Sequence, residues 1–97
     1  MSGERGADRA ARIRVALEQA FAPVELEVVD EGHRHVGHPG ARDGRGHFAV
    51  CIVSDAFADL PLLQRHRAVY AALGPLMEEE IHALSVDART PGEVPGR

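Results

Sequence analysis

Lysine and tryptophan are absent from these 97 residues, cysteine occurs once, and no long hydrophobic run is present. The single cysteine, Cys51, excludes an internal disulfide, and the absence of a CxxC pair excludes dithiol chemistry and a cysteine-paired metal site. The first residues carry charges throughout and no segment approaches the length of a membrane span, which predicts a cytoplasmic protein. The balance of 15 Asp and Glu against 11 basic residues argues against broad binding to a polyanion.

The hydrophobic share of 44% and the formal net charge of -4 are typical of a chain that folds around one small core. Residues 1–7 are small and polar, and Pro and Gly recur near the other end of the chain. We therefore expect a single domain over residues 8–88, with a flexible N-terminus over residues 1–7 and a flexible tail over residues 89–97.

Hydrophobic periodicity places six elements along this domain. Apolar residues at every fourth position indicate amphipathic helices, and alternation of apolar with polar residues indicates strands. The clearest strand is the run HFAVCIV, which begins at His47. The predicted elements, in chain order, are helix 8–21, strand 24–28, strand 47–53, helix 61–73, helix 76–80 and strand 81–86.

This order, α-β-β-α-α-β, predicts an α+β fold with a three-stranded mixed sheet and helices on one face. The two short helices form a crossover between the second and third strands, and a right-handed crossover makes such strands parallel. The first strand runs antiparallel to the second. The starts of the second and third strands then lie at one edge of the sheet.

Histidines gather at this edge. His47 and His82 lie near the starts of the two parallel strands, and the glycine-rich segment 31–46, which carries His33, His35 and His38, joins the first two strands there. Imidazole is a ligand for zinc, copper and iron, so the edge is a candidate metal site. The alternative is that the segment's histidines are solvated and that His82, expected on the same side as Leu84 and Val86, has only a structural role.

Other polar residues suggest weaker sites. Arg65 and Arg67 are candidates for contact with a nucleic-acid phosphate or a partner carboxylate, or they are ordinary solvated helix charges. His66, between them, is expected to be packed, and Cys51 is expected to be buried and inert. No HExxH motif is present and Ser54 has no visible base, so we do not expect an enzyme.

Four motifs give the chain a family resemblance that runs from Arg12 to about Pro91. They are HxHxGH at 33–38, HFxVxIVSxxF at 47–57, RHRxVYxxL at 65–73 and IHALS at 81–85. Together they resemble the BolA proteins, and this resemblance implies a fold similar to the class II KH domain. The RNA-gripping GxxG loop of KH domains is missing, since the helix break lacks its second glycine. Gly32 and Asp59 also depart from the family pattern, which often has serine and glycine there, and Asp59 is expected to cap the second helix.

The resemblance also implies a function. BolA proteins associate with monothiol glutaredoxins around a shared [2Fe–2S] cluster, and some were first described as transcriptional regulators. By similarity His82 is the constant ligand and His35 the second, with His33, His38 and His47 as alternatives. A glutaredoxin cysteine and a glutathione thiol supply the thiolates. DNA and a second copy of the chain are alternative partners to the glutaredoxin.

Overall fold

The computed structural model describes residues 2–31 and 46–94, with side chains described from Asp8 onward. The α-β-β-α-α-β order predicted from the sequence is confirmed. Short 3-10 turns follow β2 at Asp55–Phe57 and follow β3 at Pro91–Glu93. The helices and strands are α1 (Ser2–Phe21), β1 (Glu25–Asp30), β2 (Gly46–Val53), α2 (Leu62–Leu73), α3 (Pro75–Glu79) and β3 (Ile81–Arg89).

The three strands form one mixed sheet in the order β1-β2-β3. β1 runs antiparallel to β2, with Leu26 opposite Ile52, and β2 runs parallel to β3, with Val50 opposite Val86. Both the mixed sheet and the helical crossover that makes β2 and β3 parallel were predicted and are confirmed.

The core lies between the helices and one face of the sheet. Burial alternates along β2 as far as Ile52, so Phe48, Val50 and Ile52 are buried while Cys51 is exposed on the opposite face. Side chains from α1, α2 and β3 complete the core. Its other buried members are Ile13, Leu17, Phe57, Val69, Leu73, Ile81 and Ala88. In the part of the chain that the structure describes, no helix lies on the opposite face, which we call the open face.

The first helix begins six residues earlier than the sequence predicts, at Ser2 instead of Asp8. Its buried face, with Ile13 and Leu17, matches the predicted period. The helix ends at Phe21. The amide of the next residue, Ala22, donates to the Glu18 carbonyl, and its φ of 45° lies in the left-handed region. Pro23 follows and prevents continuation of the helix.

Ala22→Gly should stabilise the protein by about 0.5–1 kcal/mol, because glycine adopts a left-handed φ without the strain that a Cβ imposes, although it gains freedom in the unfolded chain. Urea denaturation measures the change. Ala11 is exposed in the middle of the same helix, and Ala11→Gly should instead destabilise by about 1 kcal/mol. Equal destabilisation by both substitutions would contradict the assigned strain.

Ser54 joins the end of α1 to the end of β2. Its hydroxyl donates to the Phe21 carbonyl at 2.6 Å and accepts from the Ala56 amide at 3.0 Å, so it caps the following 3-10 turn. The residue is buried, with both of these partners inside the protein. These two hydrogen bonds explain why a serine hydroxyl is buried here.

The second helix buries only part of its apolar residues and buries an arginine beside them. Leu62 is 66% exposed and Tyr70 is 40% exposed, whereas Val69 and Leu73 are buried together with Arg65. The buried stripe thus includes a charged residue four positions before Val69. The prediction that Asp59 caps this helix is also wrong, because the N-cap residue is Pro61. Asp59 has a φ of 66°, a conformation that explains why glycine suits this turn.

The chain beyond residue 88 is more ordered than the predicted tail. β3 continues to Arg89, and Thr90 and Glu93 form a capping box around the last 3-10 turn. The boundary at residue 88 therefore falls inside a strand. Among the described residues, no helix is long and apolar enough to cross a membrane.

Candidate functional site

The starts of β2 and β3 meet at one rim of the sheet, as the topology predicts. The Gly46 amide donates to the Glu80 carbonyl at 2.9 Å, and the Glu31 amide donates to the His47 carbonyl at 2.7 Å. A Cβ on Gly46 would lie 2.5 Å from the Phe48 ring, so this close approach requires glycine. The rim is thus held by backbone hydrogen bonds on both sides of β2.

An irregularity in strand register lies at this rim. Gly46 is opposite Ile81, but the next residue of β2, His47, is opposite Ala83, so β3 carries one extra residue there. Ile81 and Leu84 both pack on the core, although they are three positions apart. His82, the residue between these registers, is exposed.

The prediction that His82 lies on the same side as Leu84 and Val86 is therefore wrong. The extra residue changes the alternation of β3 between Ile81 and Leu84. His82 instead meets His47, whose side chain alternates with the buried Phe48 and so lies on the open face. The bulge is what brings the two imidazoles together.

The rings of His47 and His82 are in contact. Their centroids are 4.9 Å apart and their planes are inclined at 47°. His82 is exposed, whereas His47 is half-buried and its Nε2 atom is shielded from solvent. The expectation that topology brings these two histidines together is confirmed, and two adjacent imidazoles at a rim are a suitable pair of ligands for iron or another transition metal.

The remaining predicted ligands, His33, His35 and His38, lie outside the described residues. The two described residues that flank their segment, Glu31 and Gly46, both lie at the rim. Within residues 8–31 and 46–94, no group of three or more His, Cys, Asp or Glu side chains is arranged to hold a metal ion. The described rim therefore offers a pair of donors, which fits a site completed by ligands from elsewhere.

Cys51 is not buried, contrary to the sequence prediction. It lies on the open face, opposite Glu27 on one side and Asp87 on the other. Partial burial, followed by the two carboxylates, raises the pKa of the Cys51 thiol, while Arg89 acts in the opposite direction. The side chain is accessible, but its surroundings favour the thiol over the reactive thiolate.

Arg65 is held inside the molecule. Its guanidinium donates to the Leu60 and Ala88 carbonyls and makes a bidentate ion pair with Glu93, with distances of 2.6 and 3.0 Å. The side chain is 8% exposed. Arg67, by contrast, is exposed. Of the two arginines predicted to contact a partner, Arg67 is the one that faces solvent.

The Arg65–Glu93 pair also sets the protonation of both groups. Hydrogen bonds from Arg65, and then from the Thr90 amide, lower the pKa of Glu93 to about 2. The same hydrogen bond raises the pKa of Arg65. The pair borders an open groove of about 710 Å³ that includes His66 and the last residues of β3. His66 is thus near the opposite end of β3 from His82.

Comparison with known proteins gives a consistent result along the chain. A family model described as BolA-like protein matches residues 17–93. The solved structure of BolA1 from Arabidopsis thaliana superposes with a TM-score of 0.77 and 38% identity, covering 90% of this chain and 96% of that one. The likeness therefore extends to both sequence and fold.

Three curated relatives match most of the chain. SufE-like protein 1, chloroplastic/mitochondrial, from Arabidopsis thaliana is 46% identical over 91 residues, covering 89% of this chain and 24% of that protein. Protein BOLA1, chloroplastic, from the same plant is 40% identical over 93 residues, covering 93% and 58%. The DNA-binding transcriptional regulator BolA of Escherichia coli is 42% identical over 79 residues, covering 81% and 72%. The chain therefore spans less than two thirds of each plant relative.

Proposed function

Because the chain belongs to the BolA family, we propose that it is a non-enzymatic adaptor that binds a [2Fe–2S] cluster together with a monothiol glutaredoxin. The observation that carries the proposal is the contact between His47 and His82 at the rim, with ring centroids 4.9 Å apart. His82 is exposed on the open face, where a second protein can reach it, whereas His47 beside it is half-buried. The output would be cluster trafficking, cluster assembly or iron sensing.

The donor chemistry supports a shared cluster. A [2Fe–2S] cluster needs four ligands. This chain has one cysteine, which lies on the open face between two carboxylates. The missing thiolates must come from a partner, here a glutaredoxin cysteine and glutathione. Histidine ligation at one iron raises the reduction potential, as in Rieske centres.

His82 is the first ligand in this proposal. The second is His35, by its position in the family motif, with His33, His38 and His47 as alternatives, of which His47 is in ring contact with His82. His35→Ala and His47→Ala distinguish these two candidates, because only the variant that lacks the second ligand should lose the altered cluster spectrum. Both variants belong in the same titration series.

The proposal predicts a change in visible circular dichroism when this chain is titrated into cluster-loaded monothiol glutaredoxin. New ligands alter the asymmetry around the iron, so the cluster bands should change in shape and saturate near equal amounts of the two proteins. Glutaredoxin loaded with cluster and mixed with an unrelated protein of similar size is the reference. An unchanged spectrum throughout the titration would reject the shared cluster.

DNA binding is the second candidate function, because the Escherichia coli relative is named a DNA-binding transcriptional regulator. The exposed Arg67 is available for a phosphate, but Arg65 is engaged by Glu93 and two backbone carbonyls. The net charge of -4 opposes general attraction to a polyanion. These observations favour the adaptor proposal over DNA binding.

A further inference from the structure

Glu80 lies between α3 and β3, and two arginines of the first helix contact its carboxylate. The Nε of Arg9 donates to its carboxylate at 2.7 Å, and Arg12 approaches the other carboxylate oxygen at 3.4 Å. The Arg9 side chain is 11% exposed and that of Glu80 is 25% exposed. A short, partly buried ion pair of this kind is screened by salt much less than a surface pair.

The backbone of Glu80 is joined to the rim that carries the histidines. Its amide donates to the Leu76 carbonyl, and its carbonyl accepts from the Gly46 amide, both at 2.9 Å. His47 follows Gly46 directly, and His82 is two residues beyond Glu80. One residue therefore connects the first helix with the starts of both parallel strands.

The connection through Glu80 adjoins the irregular register between β2 and β3. The extra residue of β3, His82, lies between Ile81 and Ala83, two residues after Glu80. At such a position the strand ladder constrains the backbone less than in a regular pair of strands. The side-chain contact of Glu80 with Arg9 supplies a constraint that the ladder does not supply, just before the bulge.

We propose that Arg9 is a positioning residue for the His47–His82 pair, acting through the carboxylate of Glu80. Arg9 touches neither histidine in this account. It holds in place the backbone next to both histidines, and so determines how the two imidazoles are oriented toward a shared metal. The part that concerns metal rests on the proposed function, whereas the part that concerns the ring contact does not.

The ring contact can be tested in the free protein. In Arg9→Gln the cross-peak between the ring protons of His47 and His82, measured by NMR, should be lost and both ring signals should shift. Arg14→Gln is the matched control, because Arg14 lies on the same helix and donates to the Leu26 carbonyl, toward the other end of the sheet. The control should keep the cross-peak. A folded Arg9→Gln with the wild-type cross-peak and shifts would overturn the proposal.

Two further variants keep the test decisive. Glu80→Gln removes the charge and keeps the shape, so it should weaken the cross-peak even where Arg9→Gln fails to fold. An unchanged cross-peak in Glu80→Gln would also overturn the proposal. The exchange Arg9→Glu with Glu80→Arg, made together with Arg12→Gln because Arg12 also contacts the Glu80 carboxylate at 3.4 Å, should restore the cross-peak that the single changes remove, which a general loss of stability would not do.

The same variants separate this inference from the proposed function. With cluster-loaded glutaredoxin, Arg9→Gln should give cluster bands that differ from those of the wild type, and Arg14→Gln should match the wild type. If the wild-type spectrum never changes, the proposed function fails while the NMR result still decides the ring contact. If Arg9→Gln loses the ring contact but matches the wild-type spectrum, Arg9 does not position the metal ligands.

Discussion

Replacing His82 by alanine will remove the change in cluster circular dichroism that the wild-type chain produces with a monothiol glutaredoxin. His82 is exposed at the rim, in ring contact with His47, so its loss takes away a ligand of the proposed cluster and leaves the core intact. The apparent affinity for the cluster-loaded partner should fall by more than about tenfold, since even the loss of a residue behind a metal ligand commonly costs that much.

His66→Ala is the matched control for this result. His66 lines the groove beside Arg65, near the last residues of β3, whereas His82 is the second residue of that strand. The control should keep the altered spectrum. A His82→Ala protein that gives the same bands and the same affinity as the wild type would remove His82 from the ligand set.

Arg65→Met should destabilise the protein by about 2–4 kcal/mol, because two carbonyls lose a charged donor and Glu93 loses its bidentate partner. Methionine keeps the length and apolar stem of the side chain, so the effect measures mainly the lost hydrogen bonds. Arg67 lies two positions along the same helix and is exposed, so Arg67→Met should change stability by less than about 0.5 kcal/mol. Urea denaturation of both variants gives the comparison, and equal effects would contradict the role of Arg65.

The Arg65–Glu93 pair also predicts a dependence on pH. The pKa of Glu93 is lowered from 4.5 to about 2 in the folded protein. A carboxyl group with a lowered folded pKa stabilises the protein above its unfolded pKa, and this contribution is lost as the pH falls toward the folded pKa. The stability difference between the wild type and Glu93→Gln should therefore be largest at neutral pH and shrink from about pH 4.5 to about pH 2. A difference that stays constant over this range would show that the ionisation of Glu93 does not contribute to the stability of the fold.

The order of elements and the placement of His47 and His82 at one rim were predictable because both follow from simple rules. The run of β-favouring and small residues from His47 to Val53 identifies β2, and a helical crossover makes the next strand parallel. Once β2 and β3 are parallel neighbours, their first residues must share a rim. This reasoning needs no side-chain detail, and the structure confirms it.

The details around the rim were not predictable because they depend on contacts between distant residues. The extra residue at His82 leaves no mark in composition, so simple alternation placed that histidine on the core side. Arg65 is buried because Glu93, 28 positions away, and two carbonyls receive it. Cys51 is exposed because no described helix covers its face of the sheet, which the alternation of β2 alone cannot reveal.

The sheet has two outer strands, and each has an arginine on its outer edge. The Glu31 amide bonds to the His47 carbonyl, so odd-numbered residues of β1 face β2, and the Leu26 carbonyl, which accepts from Arg14, faces away. The Ser54 amide bonds to the Arg89 carbonyl, so the Ala88 carbonyl, which accepts from Arg65, also faces away from β2. Unpaired edges are where strands from other molecules add and aggregation starts. The two guanidinium groups occupy backbone acceptors that such an added strand would need.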